Sequence, residues 1–162
     1  MDIHNHVAEL MMGPFVVGEE SFDPWWHVIV MQYIEDAEHF HHEKHANLLP
    51  KVRQLIAHMH ASDFVHGDIR HLLFVFCFSF FFFLSSLHFR VSFPYFRGPN
   101  VLVKEESVVL IDFDWAGVAG EVKYPMDLNE VTWKKFETAG IKADVPITKA
   151  HDDALVEALV KA

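Results

Sequence analysis

Val65-His66-Gly67-Asp68-Ile69-Arg70 and Arg97-Gly98-Pro99-Asn100-Val101-Leu102-Val103 read as two halves of one loop. Joined directly they give HGDIRGPNVLV, in which an Asp stands five positions before an Asn, whereas in the chain Asp68 and Asn100 are 32 apart. An Asp and an Asn held side by side offer a carboxylate that can orient or take a proton and an oxygen that can meet a hard cation. Each also has an ordinary explanation, since Asp after Gly and Asn after Pro are both common in turns and caps. The weight of the reading rests on their order and spacing together with what lies downstream.

The interrupting stretch, His71 to Arg97, is 27 residues long and carries ten of the 16 Phe residues, including Phe80-Phe81-Phe82-Phe83. Its formal charges are Arg90 and Arg97. Phe, Leu, Ser and Cys have pyrimidine-rich codons, and a 27-residue excess keeps the reading frame, so residues 71–97 read as a translated intron. The alternatives are a membrane span and an unusual buried insertion. Leu72 to Phe89 is 18 residues without Asp, Glu, Lys or Arg, at the lower edge of what crosses a bilayer as a helix.

Without the insertion, 135 residues remain, one domain's worth. The formal net charge of −10, from 23 acidic and 13 basic residues, argues against nucleic acid or an anionic membrane as an electrostatic partner. The single cysteine, Cys77, excludes an intrachain disulfide and favours a reducing, cytoplasmic setting, with a single-pass membrane protein through residues 72–89 as the alternative. Met1 to Leu10 contains Asp2, Glu9 and two His, and no secretory signal is expected.

Outward from the loop, Trp26 to Ile34 is a β-rich apolar run that breaks into the acidic, His-rich stretch Glu35 to His45. Leu48, Leu49, Val52, Leu55, Ile56 and Met59 recur at helical spacing, with Asn47 as the expected cap and Pro50 in the first turn. After Asn100, Val101-Leu102-Val103 and Val108-Val109-Leu110-Ile111 predict a hairpin turning through Lys104 to Ser107 and ending at Asp112. Asp127 to Thr138 and His151 to Ala162 have helix-compatible composition, separated by Gly140 to Pro146. His39, His41, His42 and His45 cluster as metal ligands do, but no cysteine accompanies them and a solvated linker accounts for them more simply.

The order strand, acidic linker, helix, HGDIR, GPN, hairpin and Ile111-Asp112-Phe113-Asp114 resembles the protein-kinase-like superfamily from its hinge to its metal-binding segment. Within that superfamily it is similar to the small kinase-like proteins of fungi and to the related aminoglycoside and choline phosphotransferases. The resemblance covers about Val28 to Asn129 with the insertion excluded. It implies an α+β protein-kinase-like fold, mainly the helical large lobe, carrying a catalytic loop and hairpin with only a remnant of the small lobe. Asp68 then matches the catalytic base, His66 the histidine that buttresses the loop, and Arg70 completes the catalytic set. Asn100 and Asp112 match Mg²⁺ ligands, and Met31, Gln32 and Ile34 match hinge positions that would meet the adenine of ATP. Asp114 departs from the family by standing where Gly is usual. The reaction implied is phosphoryl transfer from ATP to a hydroxyl on a protein or small molecule, chemistry that needs positioning and metal more than covalent help.

About 27 residues precede the hinge-like strand, too few for a complete nucleotide-binding lobe, and the sequence contains neither G-x-G-x-x-G nor a Val-Ala-Ile-Lys-like strand. The expectation is therefore a partial kinase-like domain over residues 1–162 with impaired activity. The alternative is a catalytically dead pseudokinase or a fragment tethered to a membrane by the Phe-rich run.

Overall fold

The computed structural model describes residues 13–14, 16–23, 26–69, 73–76, 94–97, 100–128 and 133–160. Arg70, most of the Phe-rich stretch and part of the expected helix from Asp127 lie outside them. The described chain is mixed α+β, with three α-helices and several two- or three-stranded sheets.

Strands β1 (Val16–Asp23) and β2 (Trp26–Met31) form an antiparallel ribbon with Val16 opposite Met31. The apolar run expected to continue to Ile34 ends at Met31. The chain turns at Glu35 and Asp36 instead, with Asp36 at φ 60° and Ala37 N–H reaching Ile34 O at 3.4 Å. Beyond the turn, β3 (Glu38–His39) enters a second sheet, and the short α1 (His42–His45) passes through a 3₁₀ turn, Ala46–Leu48, into α2 (Leu49–Ala61). Because that turn feeds directly into the helix, Asn47 has no extended backbone from which to cap it, and Leu48 holds the cap position. Pro50 sits in the first turn as expected, where its missing N–H costs no helical bond.

Helix α2 buries Leu49, Val52, Ile56 and Met59, the stripe its spacing predicts. Full burial of each side chain from Val52 to Met59 in that stripe contributes about 1.5–3 kcal/mol. The facing element is α3 (Lys149–Ala158), which contributes Leu155 and Val156, with Leu159 just beyond its end. At the solvent rim Arg53 Nη2 donates to Glu157 Oε1 at 2.7 Å.

Strand β4 (Phe64–Val65) pairs with β9 (Gly117–Val118), while β7 (Val101–Lys104) and β8 (Ser107–Leu110) form the expected hairpin, with β3 on the outer side of β7. Val101, Val103, Val108 and Leu110 are buried on one face, as alternation along a half-buried strand requires. Glu105 and Glu106 make the turn, and Lys51 of α2 ties it down by donating to Glu106 O. Within the insertion, β5 (Leu73–Phe76) pairs antiparallel with β6 (Pro94–Arg97). Leu73 to Phe76, part of the candidate span, are thus extended, and among the described residues no helix is long and apolar enough to cross a membrane.

After β9 the chain folds back through an isolated bridge between Lys123 and Pro146, reinforced by Ile147 N–H to Val122 O at 2.8 Å. Of the expected helix from Asp127 to Thr138, Asp127 lies in a turn and Leu128 is not helical, while Lys134–Ala139 form a 3₁₀ helix stopped by Gly140 at φ 89°. Trp115, Tyr124, Trp133 and Phe136 pack ring against ring in this region.

Candidate active site

Strand β4 leads directly into His66-Gly67-Asp68-Ile69, and all four residues are buried. Gly67 has φ +78°, and a Cβ there would stand 2.8 Å from Ile147 Cδ1. Only glycine fits both the backbone and the space. The hairpin supplies the other half: β7 starts one residue after Asn100, and Ile111 N–H donates to Asn100 O at 3.1 Å, so pairing across the hairpin holds Asn100 and Asp112 at adjoining ends.

The two halves meet. Asn100 Nδ2 donates to Asp68 O at 2.8 Å and to Asp68 Oδ2 at 3.0 Å, across 32 residues of chain. Both partners are acceptors, which fixes the orientation of the amide and assigns its oxygen, Oδ1, as the atom able to ligate a cation. Asp112 is half-buried at φ 63°, a left-handed conformation that costs a residue with a side chain about 1–3 kcal/mol and clusters at working sites. Asn100 and Asp112 together offer hard oxygen donors of the kind Mg²⁺ takes, usually alongside phosphate oxygens and water. They fit that ion. Among the described residues, no group of three or more His, Cys, Asp or Glu side chains could hold a metal on its own.

His66 is fully buried, and burial pushes its pKa below the ordinary imidazole value despite the opposing charges of Asp152 and Asp112. The ring is neutral. Its Nδ1 accepts Asp68 N–H at 3.3 Å, so the proton resides on Nε2, which donates to Ile111 O at 3.1 Å. One imidazole thereby ties the Asp68 loop to the strand end before Asp112, its ring tilted 49° to that of Phe113 with centroids 4.9 Å apart.

Asp152, a residue the sequence reading passed over, anchors the whole loop. Its carboxylate is fully buried and accepts His66 N–H at 2.8 Å on Oδ2 and Gly67 N–H at 2.7 Å on Oδ1. His60 Nε2, from α2, donates to the same Oδ2 at 3.2 Å. Three donors from two elements converge on one side chain of α3. The signal was present in the helical period: Leu155, Val156 and Leu159 lie three, four and seven residues after Asp152, which puts the Asp on the apolar face and its neighbour Asp153 on the exposed one.

Met31, Gln32 and Ile34 stand at the end of β2 and in the linker after it, exposed or half-buried, outside the buried group around Asp68. The expected catalytic residue Arg70 lies outside the described residues. The histidine cluster is a local brace: His41 N–H donates to His45 Nδ1 at 3.0 Å, and His45 Nε2 meets Glu38 Oε1 at 3.1 Å. Compared with known proteins, the chain matches no family model, no curated protein and no solved structure.

Proposed function

We propose that this chain is an incomplete kinase-like phosphotransferase domain, corresponding mainly to the large lobe, whose site is built for transfer of a phosphoryl group from ATP to a hydroxyl but works poorly in this form. The observation that carries the reading is the hydrogen-bonded contact between Asp68 and Asn100, formed across the insertion and next to Asp112. In this reading Asp68 orients the acceptor hydroxyl and takes its proton, while Asn100 through Oδ1 and Asp112 through its carboxylate hold Mg²⁺. Bound Mg²⁺ supplies charge neutralisation for the phosphates. His66 keeps the loop in register with the strand end at Ile111, and Asp152 fixes the loop backbone. A cytoplasmic setting, where ATP is abundant and Cys77 stays reduced, goes with this function.

Poor turnover follows from the missing phosphate-binding sequences. The 162-residue sequence contains neither G-x-G-x-x-G nor a Val-Ala-Ile-Lys-like stretch to position the triphosphate, and positioning supplies most of the rate in this chemistry. The test is equilibrium binding of ATP with and without Mg²⁺, together with phosphotransfer by the purified chain. Expected are Mg²⁺-dependent ATP binding that Asp112→Asn removes, and turnover well below ~1 s⁻¹, the low end for kinases. ATP binding that is absent, or indifferent to Mg²⁺ and to Asp112→Asn, overturns the reading.

A further inference from the structure

The turn that ends at Leu128 and the 3₁₀ helix Lys134–Ala139 border a cavity of about 500 Å³ that the phosphotransferase reading does not use. Its floor is apolar: Leu128, Trp133 and Ile141 line it, each less than a tenth exposed. The floor is fixed from behind. Trp133 packs against Trp115 with centroids 5.5 Å apart, against Tyr124 at 6.0 Å and against Phe136 at 5.5 Å. Past the helix the left-handed Gly140 turns the chain back, its N–H donating to Glu137 O at 3.0 Å and the next N–H, of Ile141, to Phe136 O at 3.4 Å. That reversal buries Ile141 and returns Lys142 to the rim beside Glu137. A cavity of this size with a packed apolar floor falls in the range that takes a small organic molecule.

The rim selects the charge. Lys134, Glu137 and Lys142 stand on it, all exposed. Lys142 Nζ lies 3.6 Å from Glu137 Oε1, so those two charges cancel. The adjoining Lys135 lies over the Phe136 ring, 5.0 Å from its centroid. Lys134 has no carboxylate partner among the described residues and leaves the rim with one net positive charge. On a chain whose formal net charge is −10, the overall field repels anions, so an uncompensated ammonium over an apolar floor is a local exception. We propose that this cavity binds a small organic monoanion of the aryl carboxylate class, its apolar body on Leu128, Trp133 and Ile141 and its carboxylate against Lys134 Nζ. The two ammoniums disfavour a cation, and a neutral molecule gains the floor alone. Asp68, Asn100 and Asp112 do not line the cavity, so the assignment goes beyond the phosphotransferase reading and stands without it.

The experiment is calorimetric titration of the full chain with 2-naphthoate and with its neutral counterpart 2-naphthamide, on wild type, Lys134→Met and Ala143→Phe. Lys134 and Ala143 are exposed and Ala143 lines the cavity, so both variants keep the core, which their melting temperatures check. Expected for wild type is saturable binding of naphthoate with a Kd of about 1 mM or tighter, the scale for so small a body. Naphthamide should bind about fivefold more weakly, the reach of one partly exposed ion pair. Lys134→Met should lose that preference, and Ala143→Phe, whose ring fills the cavity, should lose both ligands. Wild type that fails to bind naphthoate in this range overturns the inference. Equal affinity for the two ligands, or a preference that survives Lys134→Met, does the same. Binding unchanged by Ala143→Phe puts the ligand elsewhere on the chain and also overturns it. No arm contains ATP or Mg²⁺, so failure here leaves the phosphotransferase reading standing, and failure of that reading leaves this site.

Discussion

The loop from His66 to Ile69 and the ribbon of β1 and β2 are held by opposite means. The loop has no regular structure of its own, and its conformation comes from distant residues: Asp152 on two backbone amides, Asn100 on Asp68, and Ile111 on His66. The ribbon has the hydrogen bonding of paired strands, with register shifts between Val16 and Gly18 and between Ser21 and Asp23, but among the described residues its strands pair only with each other, and Val17, Val30 and Met31 remain exposed on it. A two-stranded ribbon in water draws little stability from itself. Regularity and rigidity are therefore separate properties here, and the irregular segment is the better anchored one.

The comparison breaks most visibly at Asp152. Asp152→Ala leaves the amides of His66 and Gly67 buried without their acceptor, and a loss of about 3 kcal/mol or more in unfolding free energy is expected from denaturant titration. A loss below 1 kcal/mol would mean that the loop is held by something else. Gly67→Ala comes next. Its φ of +78° and the 2.8 Å approach to Ile147 predict destabilisation of about 1–3 kcal/mol, read by the same titration.

Acid should act on the loop rather than the ribbon. Burial lowers the pKa of His66, and also that of His151, below the ordinary imidazole value of about 6.5 that applies in the unfolded chain. The unfolded state then binds more protons as pH drops past 6.5, so these histidines leave stability intact above that value and reduce it progressively below. Denaturation midpoints measured from pH 8 down to pH 5 should be flat at first and then fall. A rise on acidification would contradict a neutral His66. The smallest effect belongs to the ribbon: Val17→Thr and Val30→Thr should each change stability by within about 0.5 kcal/mol, as exposed substitutions do. A larger change would reveal packing against the ribbon.

Much of this arrangement was legible in the sequence where the cause is local. The apolar stripe of α2 follows a 3.6-residue period and the β7–β8 hairpin a two-residue one, and both elements stand within two residues of where those periods put them. From the hairpin alone, Asn100 and Asp112 had to lie close. The cap at Asn47 failed because the preceding 3₁₀ turn, a tertiary choice, leaves no room for it. Asp152 was missed for a different reason. The helical period puts it on the apolar face, but nothing near it in sequence names its partners, the buried amides of His66 and Gly67, 86 and 85 residues earlier.

The Asp152 anchor also sets an order of events during synthesis. A chain emerging from the ribosome presents His66, Gly67 and Asp68 long before α3 exists, and through that interval the loop amides have no acceptor but water. The hairpin can form as soon as Leu110 has emerged, since its contacts are short-range. The loop cannot take its final shape until Asp152 arrives, after more than eighty further residues have been added. A ribosome stalled before that point would carry a nascent chain whose hairpin is folded while the loop beside it still opens to proteases.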